Sequence, residues 1–322
     1  HPFFEPDKPQ SVKQLPALLV QRGGLDWLKV QYNPFGFGRY GYCPWLVDAV
    51  RKLKKSGKAQ VAVMFHETQV PNRPWKFWVM RQWQNRQLRA LARLADAIFV
   101  STTRWIDEIK AVFPRAVCHH LPVGSNLPTS QLSWEAARER LKISADTLVV
   151  GMFGSSHPSR MTDWMSAAVR GAASVQDKLV VLYIGKDGKS FREVCAGFPF
   201  MDQGPLPAEA AADRMRAMDV LISPFIDGIS TRRGSAIAGF QHGVAVASTW
   251  ADHTDALLRN DAPSSLILAP RDDQKAFTDK INQWIVSKWK NQQRGREEME
   301  AFFERYFAWS VIARNTLERL RS

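Results

Sequence analysis

The sequence predicts an α/β protein in two halves, each a parallel sheet covered by helices. Three observations carry that prediction. Short apolar runs of strand length alternate with amphipathic stretches of helix length along most of the chain. The alternation lapses at a polar, Pro-containing seam near residues 122–146 and then restarts. The length, 322 residues, matches two domains at roughly 100–200 residues each.

In the first half, LDWLKVQY (25–32) reads as a strand. A Gly-rich turn follows, then a helix over 44–56. QVAVMF (60–65) is the next strand, followed by a loop and a long basic helix at 75–94. AIFVS (97–101) is a strand, 103–112 a helix and 116–121 a short strand. GSNLPTS (124–130) is the connection, and 134–141 a helix. The second half opens with the strand TLVVGMF (147–153) and the helix 161–173. The strand 179–184, the helix 208–217 and the strand 220–223 come next. The helix 234–242 and the strands 244–248 and 266–269 complete the pattern. The tail, 272–322, reads as helical throughout and strongly charged. No internal repeat is visible.

Hydrophobic residues are 45% and charged residues 23%, which excludes disorder, collagen and coiled coil as the dominant state. No apolar run reaches about 18 residues, so no transmembrane helix is predicted. The opening HPFFEPDKPQ is too polar for a signal peptide. Cys43, Cys118 and Cys195 lie far apart without a CxxC pair, which argues for reduced thiols and a cytosolic setting. The 44 Lys and Arg exceed the 31 Asp and Glu, for a net charge of +13. That excess suggests an anionic partner: nucleic acid, an anionic membrane or a phosphorylated small molecule.

The most informative stretch is ISPFIDGISTRRGSAIAGFQHGVAVAST, residues 222–249. A strand end leads to Asp227, then to a Gly/Ser-rich turn bearing Arg232 and Arg233, then to a helix start. Backbone N–H groups at such a turn favour an anion, and the Arg pair adds donors suited to phosphate. The alternative is an ordinary strand-to-helix loop with solvated Arg. GMFGSSHPSR (151–160) is a second turn of this kind, with Ser155, Ser156 and Arg160 in reach. It lacks the Lys-Ser/Thr of a P-loop and also reads as a capped helix start. In VMFHETQVP (63–71), His66 and Glu67 stand just past a buried strand, where open α/β sheets bind ligands. A structural histidine is the alternative.

Gly36, Gly38 and Gly41 spell GxGxxG. Asn33-Pro34-Phe35 separates them from the strand and no acid closes the next strand, so nicotinamide binding is disfavoured. Cys118-His119-His120 offers no shared face for a metal. In segment 73–93, Arg73, Lys76, Arg81, Arg86, Arg89 and Arg93 interleave with Trp75, Phe77, Trp78 and Trp83. Three readings compete: a helix packing its Trp inward, an anionic-membrane interface, and nucleic acid. No nucleic-acid module is recognised.

These residues together resemble the GT-B glycosyltransferases, specifically the retaining family-4 group. The marks are MFHE, ADAIFVSTTRWIDEI, LPVGSN, VGMFGS, VLYIG, PFIDGIS…GVAVAST and the closing FAWSVIARNTLERL. The resemblance implies two Rossmann-like domains facing a cleft. The acceptor-side domain would span 1–123, with 300–322 packing back on it, and the donor domain 124–299. It implies a retaining hexosyltransferase that takes a nucleoside-diphosphate sugar and needs no further cofactor or metal. The acceptor would be lipid-linked, a polysaccharide or another sugar. The protein would be cytoplasmic or peripheral on the inner face of the cell membrane.

By position in the motifs, Asp227 matches the first acid of E-x7-E and would contact the donor sugar. Gly228, Ile229 and Ser230 would offer it backbone N–H groups. Arg160 matches the basic residue on the diphosphate, Gly154 lies in the same turn, and His66 matches the first-domain histidine near the scissile bond. Two positions depart. The second acid falls on Ser235 and the first phosphate Arg on Ser155, with Arg232 or Arg233 as substitutes. The departures leave open a non-catalytic homologue that binds a membrane or a partner. Only 24 residues precede Leu25, too few for the βα units that open such a fold. The first domain is therefore expected to be incomplete, with an additional N-terminal βα portion in the full-length product.

Overall fold

The computed structural model describes residues 9–21, 25–57, 59–70 and 75–321. The chain divides into two compact units. One runs up to Pro122 and resumes at Arg314; the other is Val123–Ala313.

Among the described residues the first unit holds four parallel strands, β1 (Trp27–Tyr32), β2 (Gln60–Phe65), β3 (Ala97–Val100) and β4 (Cys118–His120), in the spatial order β1-β2-β3-β4. Val30, Val63, Ile98 and Cys118 form one row across the sheet. β3 is buried along its whole length, as expected of a parallel strand with both faces covered. The helix Pro44–Ser56 starts with Pro at its first turn and stops at Gly57, whose φ of +64° suits only glycine well. It packs with Trp75–Leu94 on a core that includes Tyr32, Val63, Leu88, Leu91 and Ile109.

The second unit holds six parallel strands: β5 (Leu148–Phe153), β6 (Leu179–Ile184), β7 (Phe200–Asp202), β8 (Val220–Ile222), β9 (Ala245–Trp250) and β10 (Leu266–Pro270). Their spatial order is β10-β9-β8-β5-β6-β7. The chain winds outward from β5 to β7, then crosses back over β5 and winds the other way to β10. The reversal leaves a topological switch point between β5 and β8, outside whose carboxyl ends ligands bind in open α/β sheets. Alternate residues divide between two cores. Val149, Leu182, Leu221 and Val246 face one; Val150, Val181, Ile222 and Ala247 face the other. This is the period of two that a strand imposes.

At the amino end of β8, Asp219 is fully buried. It accepts bonds from Arg138 Nη1 at 3.0 Å, Trp134 Nε1 at 3.1 Å, Gln292 Nε2 at 2.9 Å and the Val149 amide at 2.8 Å. Arg296 Nη2 lies 3.5 Å away. One carboxylate thus ties the helices Trp134–Arg140 and Gln293–Tyr306 to two central strands.

The structure amends several expectations from the sequence. The Gly-rich turn is partly helical: Asn33 Oδ1 accepts the Phe35 amide and caps Pro34–Phe37. The helix Gly188–Val194, the strand β7 and the helix Ala256–Asn260 are additional elements. Each is seven residues or shorter, too brief to show a period in the sequence. The tail is helical, in successive segments. It breaks into Gln274–Ser287, Gln293–Tyr306 and Trp309–Arg321. Phe307 leaves helical geometry and is buried against Phe240 and Phe302. Residues 1–8 and Arg73, which belong to two stretches named above, lie outside the described residues.

Candidate functional site

The switch point brings together the two anion-type turns. The turn after β5 and the turn after β8 are joined by Ile226 N to Ser159 O at 2.9 Å, Met161 N to Pro224 O at 3.2 Å, and an antiparallel bridge between Arg160 and Phe225. Gly154 turns the chain out of β5 at φ +97°, a conformation open to glycine at little cost. Ser155 and Ser156 are exposed at the rim. The Ser156 amide bonds to Asp187 Oδ2 at 2.6 Å, which ties the rim to the loop after β6.

Arg160 folds back under this turn and is only 9% exposed. Its Nη2 donates to the Phe153 carbonyl at 2.6 Å, whereas Nη1 is buried without a partner among the described residues. Burial, and then the charge of Arg233, pull its pKa down to about 10. The Arg160 and Arg233 guanidiniums lie 5.5 Å and 4.1 Å from the centre of one ring, Phe225. Like charges gathered in a half-buried place call for an anion.

Asp227 partly answers that call. It accepts bonds from Arg232 Nη2 at 3.0 Å and from Arg233 Nη2, and His253 Nδ1 lies 3.5 Å away. Burial raises the Asp227 carboxyl, but the contact with His253 and the charges of Arg233 and Arg232 outweigh it and hold the group well below the usual carboxylate range. Arg160, beside them, has no carboxylate partner among the described residues. The helix Gly234–Gln241 begins directly beyond Arg233 and adds its positive N-terminal end.

Asp227 is thus already held by the neighbouring Arg pair. One expectation needs correction. Gly228 and Ile229 do not offer free amides: the first bonds to Phe225 O at 3.1 Å and the second to Thr249 O at 2.8 Å. Gly228 sits at φ +81°, and a Cβ there would lie 2.5 Å from the Ala251 amide, so its role is to allow the turn. Ser230 is buried, its hydroxyl without a partner among the described residues. Ser235 lies half-buried in the first turn of Gly234–Gln241. A cavity of about 1100 Å³ opens at the amino end of the sheet, against Trp134, Lys178, Trp289 and Arg296.

Two residues at this site escape sequence reasoning. His253 follows β9 and Asp187 follows β6, and each stands at a carboxyl strand end. That position is the available signal. In the first unit, His66 leaves β2 at its carboxyl end. Its Nε2 pairs with Gln31 Oε1 at 2.7 Å and its carbonyl accepts Trp105 Nε1 at 3.0 Å. Burial, and then the charge of Lys29, lower its pKa, which keeps the ring neutral near pH 7.

The depressed Asp227 carboxyl gives a pH prediction. A carboxylate held below its unfolded pKa of about 3.9 adds stability above that pH, and loses it as pH falls further. Denaturant titrations should therefore show wild type more stable than Asp227→Asn at pH 6, with the gap closing below about pH 4. A gap constant from pH 6 to 3 would refute the ion-paired Asp227.

Solved structures share this fold. Sucrose-phosphate synthase from Thermosynechococcus elongatus matches with a TM-score of 0.72 at 18% identity, over 98% of this chain and 78% of that one. HepE from Anabaena, in complex with UDP, matches at 0.68 and 14%, over 98% and 84%. A UDP-forming α,α-trehalose-phosphate synthase from Burkholderia xenovorans matches at 0.64 and 12%, over 99% and 80%. The chain therefore has the GT-B architecture of two Rossmann-like domains. No protein-family model matches the sequence, and no curated protein sequence matches it.

Proposed function

We propose that the protein is a retaining glycosyltransferase of the family-4 type, which moves a hexosyl group from a nucleoside-diphosphate sugar. The observation that carries this is Arg160, buried at the switch point beside Arg233 with an Nη1 that has no partner among the described residues. The donor diphosphate lies there, on Arg160, Arg232, Arg233 and the turn at Gly154 and Ser155. As the glycosidic bond breaks, the leaving diphosphate gains charge, and donors already fixed in place stabilise that charge most. The diphosphate replaces Asp227 as the partner of Arg232 and Arg233. Asp227, so released, contacts the donor sugar with Ser230, and Ser235 faces the ribose. The chemistry needs no metal.

His66 serves the acceptor side as a neutral hydrogen-bonding group. The acceptor is lipid-linked or a polysaccharide, and the protein works as a peripheral protein on the inner face of the cell membrane. A uridine nucleotide is the first donor to try, because HepE was solved with UDP-glucose and pneumococcal GtfA with UDP and GlcNAc.

UDP, GDP and ADP should be added in turn and the melting temperature followed. A matching nucleotide at about 100 times its Kd stabilises by about 2.7 kcal/mol. No shift with any of the three would refute the donor site. The hold of Arg232 and Arg233 on Asp227 also favours a second reading, a homologue that binds nucleotide without transfer. A UDP shift with no turnover of any UDP-sugar would select it.

A further inference from the structure

The helix Trp75–Leu94 carries five Lys and Arg and no Asp or Glu. Its buried side, with Met80, Leu88 and Leu91, packs on the first unit's core. Its outer side is a continuous exposed stripe at spacings of three and four residues. Toward the amino end the stripe is apolar: Trp75 is 79% exposed, Trp78 56%, and Val79 is exposed beside them. Toward the carboxyl end it is cationic, with Arg86, Arg89 and Arg93 exposed. The loop over Arg39–Tyr42 extends the aromatic end. Trp83 Nε1 donates to Tyr40 O at 3.1 Å, and the Tyr42 ring lies 6.2 Å from that of Trp83. Tyr40 and Tyr42 are themselves exposed, with the Arg39 guanidinium 4.8 Å from the Tyr40 ring.

Burying Trp inward would have satisfied this helix, yet Trp75 and Trp78 are left in water. We infer that this face docks the protein on an anionic lipid bilayer. The inference deepens the peripheral-membrane part of the function proposed above and is independent of sugar transfer. Trp and Tyr settle at the headgroup level, where one edge of the ring is wet and the rest is apolar. The helix lies along the surface with its amino end deepest. At 1.5 Å per residue, Arg86, Arg89 and Arg93 then sit about 10–25 Å further along the axis, spread over lipid phosphates. A second copy of the chain is a poorer occupant, because a two-fold contact would set these like charges against each other. Nucleic acid is poorer too, because the aromatic residues are collected at one end of a convex helix, away from most of the Arg.

The full-length chain should be sedimented with phosphatidylcholine vesicles with and without about 30 mol % phosphatidylglycerol. Binding should require the anionic lipid and fall at least about tenfold in about 0.5 M NaCl, where screening is short-ranged. Trp75→Ser with Trp78→Ser, and separately Arg86→Gln with Arg89→Gln, should each lower binding at least about tenfold. Both variants should keep the wild-type circular dichroism and UDP-induced melting shift. The inference fails if the vesicles do not bind, or if both double variants bind like wild type. It fails too if the stripe instead holds single-stranded RNA, or mediates a dimer that the Trp variant abolishes. Loss of the UDP shift with vesicle binding intact would sink the donor site and leave the docking face standing.

Discussion

Arg160→Ala is expected to lower kcat/KM for the nucleotide-sugar donor by about 10²–10³-fold, the effect of removing one fixed donor from a developing negative charge. Arg160 is suited to this because it cannot move far. Its Nη2 is held by the Phe153 carbonyl, its backbone is bridged to Phe225, and it is nearly closed off from water. Held so, Nη1 costs no reorganisation when the diphosphate charge grows. Arg160→Lys keeps a charge but loses the planar fork, and should recover only part of the activity. A UDP-induced melting shift in each variant separates lost binding from lost catalysis. If Arg160→Ala retained wild-type kcat/KM and the full shift, the diphosphate would have to lie elsewhere.

Asp219→Ala is expected to destabilise the second unit by about 3–5 kcal/mol, as breaking a buried ion pair does. The magnitude follows from what the change leaves behind. Arg138 and Arg296 are 2% and 4% exposed, and each would be buried without its anion. Trp134, Gln292 and the Val149 amide would lose their acceptor as well. A loss of that size is a large share of the roughly 5–15 kcal/mol that a domain has. Asp279→Ala is the comparison. Its partner Lys275 sits on an exposed helix face, where a pair is worth at most about 1 kcal/mol. Urea titrations of the two variants should differ accordingly. Equal midpoints would show that the buried network contributes little.

Much of the fold is legible in the amino-acid order. Runs such as QVAVMF and LVVLYI form β2 and β6 because buried parallel strands need apolar residues on both faces. The helices Pro44–Ser56 and Trp75–Leu94 are legible because their apolar positions recur with a helical period. Arg160, Asp227, Arg232 and Arg233 stand out because charged residues beside Gly and Ser at strand ends serve poorly as core. The partner that Asp227 takes is not legible. Spacing along the chain says that Arg232 and Arg233 are near it, and does not say that both turn toward it. The Arg138–Asp219 pair, 81 residues apart, leaves no local mark at all.

Trp75 shows the same division. Its place on a helix follows from the sequence, but its exposure depends on which side of that helix Met80, Leu88 and Leu91 draw onto the core. The sequence by itself determined the α/β alternation, the two halves and the turns that carry charge, because strand and helix periods are local properties. Only the tertiary structure decided that β8 lies beside β5. Any of several strand orders would bury the same apolar runs, and the order adopted sets the turn of Arg160 against the turn of Asp227.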